Sequence, residues 1–135
     1  MKSFVQFINE DMGENNNLQK LEELVNGDNF ELALILSDHA NLKKEVVELI
    51  LNRIVQTHFT WGFPNGIPLN TYIYYISVEK FKEITNDNLI LVDAEIDYID
   101  YKGVEINDWI KEQFIDSIKN KFTSETGIEI DIVEI

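Results

Sequence analysis

The sequence predicts an α+β protein in which N-terminal helices are followed by a mixed or antiparallel sheet with helices on one face. Two observations favour this class. Apolar residues recur at helical spacing up to about residue 57, and they alternate with a period of two over much of the remaining chain. The 135 residues contain no internal repeat and no Pro/Gly/Ser-rich linker, and 44% of them are hydrophobic. We therefore expect residues 1–135 to form one domain with a substantial core.

Three helices are expected in the first half. Asn17 can cap a helix that Gly27 ends. Asp28 can cap a second helix, and residues 30–36 within it are apolar almost all round, which requires burial on several sides. A third helix with a broad apolar face is expected over residues 41–57. The stretch GDNFELALILSDHANLKKEVVELIL resembles the helix-turn-helix units of small α-helical repeats, a likeness that carries no active-site residue.

The second half begins with an irregular loop rich in aromatic residues, because residues 57–69 contain two glycines and two prolines. The segment NTYIYYIS is β-branched and aromatic on both faces, as expected of a central strand. Ser77 can then cap a short helix over residues 78–84. The segment LILVDAEIDYIDY predicts a long strand, and a turn at residues 101–103 leads to a short strand at residues 104–106.

A helix and a strand complete the predicted fold. Asn107 can cap this helix and Gly127 can end it. Its apolar residues recur at every fourth position, namely Ile110, Phe114, Ile118 and Phe122. The segment IEIDIVEI follows as an alternating strand. The second half therefore has the order β-α-β-β-α-β, which is the order of a split βαβ or ferredoxin-like sheet.

The composition excludes several classes of function. The chain has 25 acidic and 11 basic residues, a formal net charge of −14, and a single arginine, Arg53. Such a field repels phosphates, so direct nucleic-acid binding is not expected and a basic protein is the natural electrostatic partner. The lack of cysteine removes disulfides, thiolate metal sites and cysteine nucleophiles. Without an export signal or an apolar run of about 18 residues, the sequence predicts a cytoplasmic protein that makes no membrane contact.

Carboxylates alternate along two of the predicted strands. Asp93, Glu95 and Asp97 stand at i, i+2 and i+4, so a strand places them on one face. Glu129 and Asp131 repeat the pattern in the last strand, and the five side chains would form one acidic surface if the two strands are close. From residue 87 to residue 108 seven acids accompany one base, an imbalance that costs stability. We interpret the five as candidate contacts with a basic partner. An ordinary solvated sheet face and a divalent-metal site are the alternatives.

The aromatic loop at residues 57–69 is a second candidate surface. Trp61 and Phe63 are candidate interface anchors, because large aromatic side chains dominate binding energy when a polar rim surrounds them. The same loop could hold a small ligand with His58 as a general base, although no nucleophile motif accompanies it. His39 is expected near the C-terminal end of its helix, where it interacts with the helix dipole, rather than in a triad with its immediate neighbours.

No motif for catalysis or for cofactor binding is present. The six glycines form neither Gly-x-Gly-x-x-Gly nor a P-loop, and neither metal-ligand spacing nor a nucleophile–base pair occurs. We therefore predict a non-catalytic binding protein with no cofactor and no metal. Its small size, acidity and lack of catalytic motifs resemble those of bacterial immunity proteins, which implies an inhibitor that neutralises a basic toxin or nuclease. The alternatives are a phage-type inhibitor that mimics nucleic acid, and a small-ligand-binding protein or enzyme that uses loop 57–69.

Overall fold

The computed structural model of the chain describes residues 14–58, 68–100, 103 and 105–135. Within these residues it has four α-helices and one three-stranded sheet, so the predicted α+β class is confirmed. The helices are α1 (Glu14–Asn26), α2 (Phe30–Ala40), α3 (Lys43–Arg53) and α4 (Asp108–Thr126). The strands are β1 (Ile73–Ile84), β2 (Leu89–Tyr98) and β3 (Glu129–Glu134). A π-helical segment, Ile54–His58, continues α3. Among the described helices, none combines the length and the apolar character that crossing a membrane requires.

The sheet is mixed and has the order β1-β2-β3, with β2 in the centre. β1 and β2 are antiparallel neighbours joined by a short turn, and β3 lies parallel to β2 after the long α4 crossover. The helices that precede the sheet agree with the prediction. The predicted β-α-β-β-α-β order does not, because the described residues of the second half run β1-β2-α4-β3.

Two predicted elements account for this difference. The short helix expected after Ser77 is wrong, since β1 continues to Ile84. The short strand expected at residues 104–106 is not formed by Glu105 or Ile106, which are in neither helix nor strand, and position 104 lies outside the described residues. The segment NTYIYYIS was also expected to be central, whereas β1 is an edge strand.

Irregular pairing in β1 explains the first of these errors. The register with β2 shifts between Val78 and Lys80, as it does at a β-bulge. Val78 pairs with Ala94 and Phe81 pairs with Val92, so both side chains face the helices although they are three positions apart. A spacing of three between apolar residues is a helical signal in the sequence. Here the bulge produces the same spacing within a strand.

The core lies between the four helices and one face of the sheet. Every helix and strand contributes buried apolar side chains to a single cluster. The central strand supplies alternate residues to it, namely Ile90, Val92, Ala94 and Ile96. From α4 come Phe114, Ile118 and Phe122, and the ring of Phe114 stacks on that of Tyr72 with centroids 5.4 Å apart. The opposite face of the sheet, which we call the outer face, carries half-buried and exposed side chains.

The ends of the helices agree only in part with the predicted caps. The Asn107 side chain accepts a hydrogen bond from the Ile110 amide at 2.9 Å, and Gly127 ends α4 in the left-handed conformation with φ of 73°, both as predicted. Asn17 lies inside α1 rather than at its start. Asp28 does not cap α2; it has a positive φ of 64°, and its carboxylate accepts a hydrogen bond from Arg53 at 3.1 Å.

The second helix is less buried than its composition predicts. Phe30, Ala33, Leu34 and Leu36 are in the core, but Leu32 is 43% exposed and Ile35 is 53% exposed. The expectation of burial on several sides is therefore wrong for this pair. The helix packs on its neighbours along a single apolar face and leaves two large aliphatic side chains toward solvent.

The free edge of β1 is satisfied by side chains of α3 and its π-helical extension. Asn52 pairs with both backbone groups of Ile76, accepting from the amide at 2.8 Å and donating to the carbonyl at 2.8 Å. One turn before it, Glu48 accepts from the Val78 amide at 2.8 Å. One turn after it, Gln56 donates to a carbonyl of the same strand at 3.4 Å. These three side chains, which we call the edge ladder, replace a neighbouring strand.

Candidate functional site

The five predicted carboxylates lie together on the outer face of the sheet. Asp93, Glu95 and Asp97 alternate with the buried residues of β2, and Asp93 is half-buried while the other two are exposed. Glu129 and Asp131 are exposed on β3, which is the immediate parallel neighbour of β2. The pairing of residue 91 with residue 131 puts both sets on the same side of the sheet. We call this set of five residues the acidic face.

The register keeps these carboxylates out of direct opposition. Across the two strands, Glu129 is beside Leu89 and Asp131 is beside Leu91, while Asp93 is beside Val133. Each of these three carboxylates therefore has an apolar residue as its neighbour across the β2–β3 pairing. Because like charges directly opposite each other destabilise strand pairing, this staggered arrangement lowers the cost of the acidic face.

The neighbouring strand β1 adds two cations that the sequence analysis did not place there. Lys80 pairs with Asp93 and Lys82 pairs with Leu91, and both lysines are exposed. Both lysines lie in the segment whose apolar spacing predicts a helix, so the sequence does not place them beside the acids of residues 87–108. Glu95 and Asp97 are opposite Ser77 and Tyr75 instead, so negative charge is concentrated toward the C-terminal end of β2.

One ion pair compensates the face at the β3 side. Lys119 of α4 approaches Asp131 with a nitrogen–oxygen distance of 3.2 Å. Both side chains remain partly in solvent, where such a pair contributes on the order of 0–1 kcal/mol. Within the described ranges, Glu95, Asp97 and Glu129 form no ion pair. Of the five carboxylates, only that of Asp131 forms an ion pair with a described residue.

Two exposed aliphatic side chains adjoin these carboxylates, and the sequence analysis missed them. Val133 is 52% exposed and Ile135 is 63% exposed. Val133 is beside Asp93, and the Ile135 amide donates to the Ala94 carbonyl at 2.9 Å, which extends the β2–β3 pairing by one residue. A signal was present in IEIDIVEI, because alternation with inward Ile130 and Ile132 places residues 133 and 135 outward.

Two tyrosine–carboxylate pairs lie at one end of the sheet, where β1 begins and β2 ends. The Tyr75 hydroxyl donates to Glu48 at 2.7 Å, and burial, this hydrogen bond and the charge of Glu48 together raise the pKa of Tyr75 to about 12. The Tyr98 hydroxyl donates to Glu134 at 3.0 Å; burial and then the Glu134 charge raise the pKa of Tyr98 far above its ordinary value. The Lys111 ammonium lies 4.9 Å from the centre of the Tyr98 ring. Both hydrogen bonds restrict the orientation of a tyrosine side chain.

The remaining predicted residues are placed as follows. His39 is exposed in the last turn of α2, and the neighbouring Ser37 is buried with its hydroxyl donating to the Leu34 carbonyl at 2.6 Å, so the two do not form a catalytic pair. His58 is the last residue of the π-helical segment, and its side chain is not among the described atoms. Trp61 and Phe63 lie outside the described residues.

The acidic face therefore presents exposed carboxylates beside exposed aliphatic side chains. In the described part of the chain, no group of three or more carboxylate or histidine side chains is arranged to hold a metal ion. No protein-family model matches the chain, no curated protein matches its sequence, and no solved structure matches its fold.

Proposed function

We propose that this protein is a non-catalytic acidic binding module that holds a basic partner protein on the outer face of its sheet. The specific form we propose is an immunity-type inhibitor that neutralises a basic toxin or nuclease. The observation that carries the proposal is the coincidence of five carboxylates with Val133 and Ile135 on one face of β2 and β3. Interfaces of this kind combine apolar anchors with charges that steer the partner.

The charge of the molecule supports a cationic rather than an acidic or neutral partner. A net charge of −14 attracts a basic protein over distances up to about 10 Å at ordinary ionic strength, and the acidic face then supplies the local complement. Binding at such a face blocks a nuclease by covering the cationic groups that it uses for phosphates. The inhibitor needs no chemistry of its own for this role.

The experiment compares three forms of the protein as bait in extracts of the source cells. One is the wild type, and the second carries Asp93→Asn, Glu95→Gln and Asp97→Asn, which preserve shape while removing three charges. The third is a matched control that removes three exposed helical carboxylates through Glu22→Gln, Glu23→Gln and Glu112→Gln. We expect a basic protein that the wild type and the control retain and that the sheet variant loses. Equal retention by all three forms would contradict the proposal.

The purified partner then allows the kinetics to be measured. We expect the association rate constant to fall with added salt, and the sheet variant to lose at least about fivefold in this constant relative to the control, because long-range attraction is removed at the docking face. An association rate that responds to neither salt nor the three amides would leave the acidic face as ordinary solvated surface. Loss of an enzymatic turnover in the sheet variant, with unchanged stability, would instead favour a catalytic role.

The aromatic loop is tested separately through Trp61→Ala. If this residue anchors the same partner, the variant should raise the dissociation rate constant by about thirtyfold, corresponding to ~2 kcal/mol, with little change in association. A dissociation rate equal to that of the wild type would place the loop outside the interface while leaving the acidic face in it.

A further inference from the structure

We infer that the acidic face binds an α-helix of the partner that carries basic residues at every fourth position, laid along β2. This inference rests on the proposed function and adds the form of the binding element. A sheet with helices on one face and an open second face can bury that second face only under another layer, and helices commonly form such a layer. The outer face therefore has the geometry of a missing helical layer.

The width of the sheet suits one helix. Neighbouring strands lie about 4.8 Å apart, so β1 and β3 are separated by about 10 Å across β2. A helix with its side chains is about 10–12 Å in diameter, so one helix above β2 would contact all three strands. A second parallel helix would extend beyond the sheet.

The spacing of the carboxylates suits the turns of that helix. Asp93, Glu95 and Asp97 follow one another at about 6.7 Å along β2, because alternate residues of a strand are two rises apart. Residues i, i+4 and i+8 of a helix follow one another at about 6 Å. The accumulated difference over three positions is about 1.4 Å, which flexible lysine or arginine side chains absorb easily.

The apolar groups at the β3 side complete the match. Val133 and Ile135 are beside the row of carboxylates rather than within it, since they belong to the neighbouring strand. On the helix, positions i+3 and i+7 form the row next to i, i+4 and i+8. Aliphatic residues at those positions would pack on Val133 and Ile135 while the basic row meets the carboxylates. The occupant is thus a cationic amphipathic helix.

A second copy of this chain does not fit the same surface. Two outer faces brought together would place Glu95 and Asp97 of one copy against the carboxylates of the other, with Lys80 and Lys82 as the only exposed cations that β1 contributes to the face in the described residues. With repulsion of this kind unrelieved, close approach is unfavourable. Charge complementarity therefore selects a basic partner over self-association.

The test uses three synthetic peptides of identical composition and the ¹⁵N-labelled full chain. The first peptide places lysine at i, i+4 and i+8 and leucine at i+3 and i+7. The second is a scrambled form in which lysine and leucine are distributed around the helix. The third keeps the residue order of the first but moves two prolines from the ends of the peptide into its interior. We expect the first peptide to shift amide resonances of residues 93–97 and 133–135 and to gain helical circular dichroism on binding. Its dissociation constant should be at least about tenfold lower than those of the other two, because only its order places the basic row and the aliphatic row side by side on a helix that proline does not interrupt.

The variants described above supply the controls. The sheet variant should bind the first peptide as weakly as the wild type binds the scrambled one. The helical control variant should bind the first peptide as tightly as the wild type does. Equal binding of the proline-containing peptide would overturn the inference in favour of an extended cationic segment. Amide shifts centred on the exposed pair Leu32 and Ile35 of α2 would overturn it in favour of another face. If the captured basic protein still depends on the three sheet carboxylates, either result leaves the proposed function intact.

Discussion

The side chain of Asn52 makes the hydrogen bonds to Ile76 that the backbone of a neighbouring strand would otherwise make. Its amide group pairs with both the amide and the carbonyl of Ile76, and its nitrogen also donates to the Glu48 carbonyl at 2.9 Å. Removing it would leave two half-buried backbone groups at the sheet edge without partners. Groups in that situation cost about 1–3 kcal/mol each when water does not fully replace the lost bond.

We therefore expect Asn52→Ala to lower the free energy of unfolding by about 2–3 kcal/mol, measured by urea denaturation at neutral pH. Gln56→Ala is the matched comparison in the same edge ladder, because Gln56 is exposed and makes one hydrogen bond of 3.4 Å to this strand. It should cost less than about 0.5 kcal/mol. Equal losses of unfolding free energy in the two variants would mean that the hydrogen bonds of Asn52 contribute no more to stability than the exposed hydrogen bond of Gln56.

Tyr75 gives the protein a pH dependence in the alkaline range. Its pKa is about 12 in the folded protein, against 10.0 for an ordinary tyrosine, so the folded state holds the phenolic proton more tightly. The resulting stabilisation is complete below about pH 10 and is lost as the pH rises to about 12. We expect Tyr75→Phe to make the fall in urea midpoint over that range smaller, because its unfolded chain has one phenol fewer to ionise, while Tyr98 maintains the rest of the fall.

The control for this measurement is Tyr74→Phe, at a side chain that is 70% exposed. This variant should keep the wild-type pH dependence. The same steep decline in both variants would show that the bond between Tyr75 and Glu48 does not control alkaline stability.

At the scale of elements, local signals predicted both ends of α4 and failed at Asp28, whose partner is distant in sequence. Asn107 and Gly127 were found because each acts on residues within one turn. Asp28 was assigned to a cap, but its carboxylate meets Arg53, which is 25 positions away. Asn52 gave no signal at all, because its role depends on where β1 passes α3. Such contacts follow from tertiary packing and have no local spacing.

The strands also divide into those that the sequence predicts and one that it predicts only in part. Regular alternation predicted β2 and β3, and it also predicted which of their residues carry the acidic face. β1 was predicted only as far as Ser77, since register shifts with β2 occur between Ile73 and Tyr75 and between Val78 and Lys80. Each shift changes the face of the residues that follow it, and so removes the period of two on which recognition of a strand depends.

The cap of α4 can be tested directly. We expect Asn107→Ala to lower the free energy of unfolding by about 1 kcal/mol, because the Ile110 amide loses its acceptor at the start of the 19-residue helix. Asn120→Ala, at an exposed position inside the same helix, should be neutral or slightly stabilising since alanine has the higher helix propensity. Thermal unfolding followed by circular dichroism measures both, and a neutral Asn107→Ala would refute the cap.

At the scale of the whole molecule, the negative charge that is proposed to attract a partner also causes repulsion within the folded protein. The chain carries a net charge of −14, and Glu95 and Asp97 have neither an ion pair nor a cross-strand cation among the described residues. The surface that would attract a basic protein therefore also opposes compact folding. Uncompensated carboxylates that lower stability at the acidic face are what a binding role for that face predicts.

The stability cost of these like charges can be measured without a partner. We expect Glu95→Gln with Asp97→Asn to raise the unfolding free energy by about 0.5 kcal/mol at low salt, because two uncompensated like charges are removed. The gain should shrink as sodium chloride is added, since salt screens the same repulsion in the wild type. Glu22→Gln with Glu23→Gln, on α1, is the control for net charge alone. A loss of stability in the sheet variant would show instead that these carboxylates make favourable contacts.

The edge ladder also determines how β1 moves. Backbone amides at the rim of a sheet ordinarily exchange with solvent quickly, yet those of Ile76 and Val78 are bound to side chains of α3. Exposing either amide requires α3 to separate from the strand, and Val46, Val47, Ile50 and Leu51 hold that helix in the core. Hydrogen exchange at these two amides should therefore be as slow as in the centre of the sheet. Helix and strand would open together, as one cooperative unit rather than as a fraying rim.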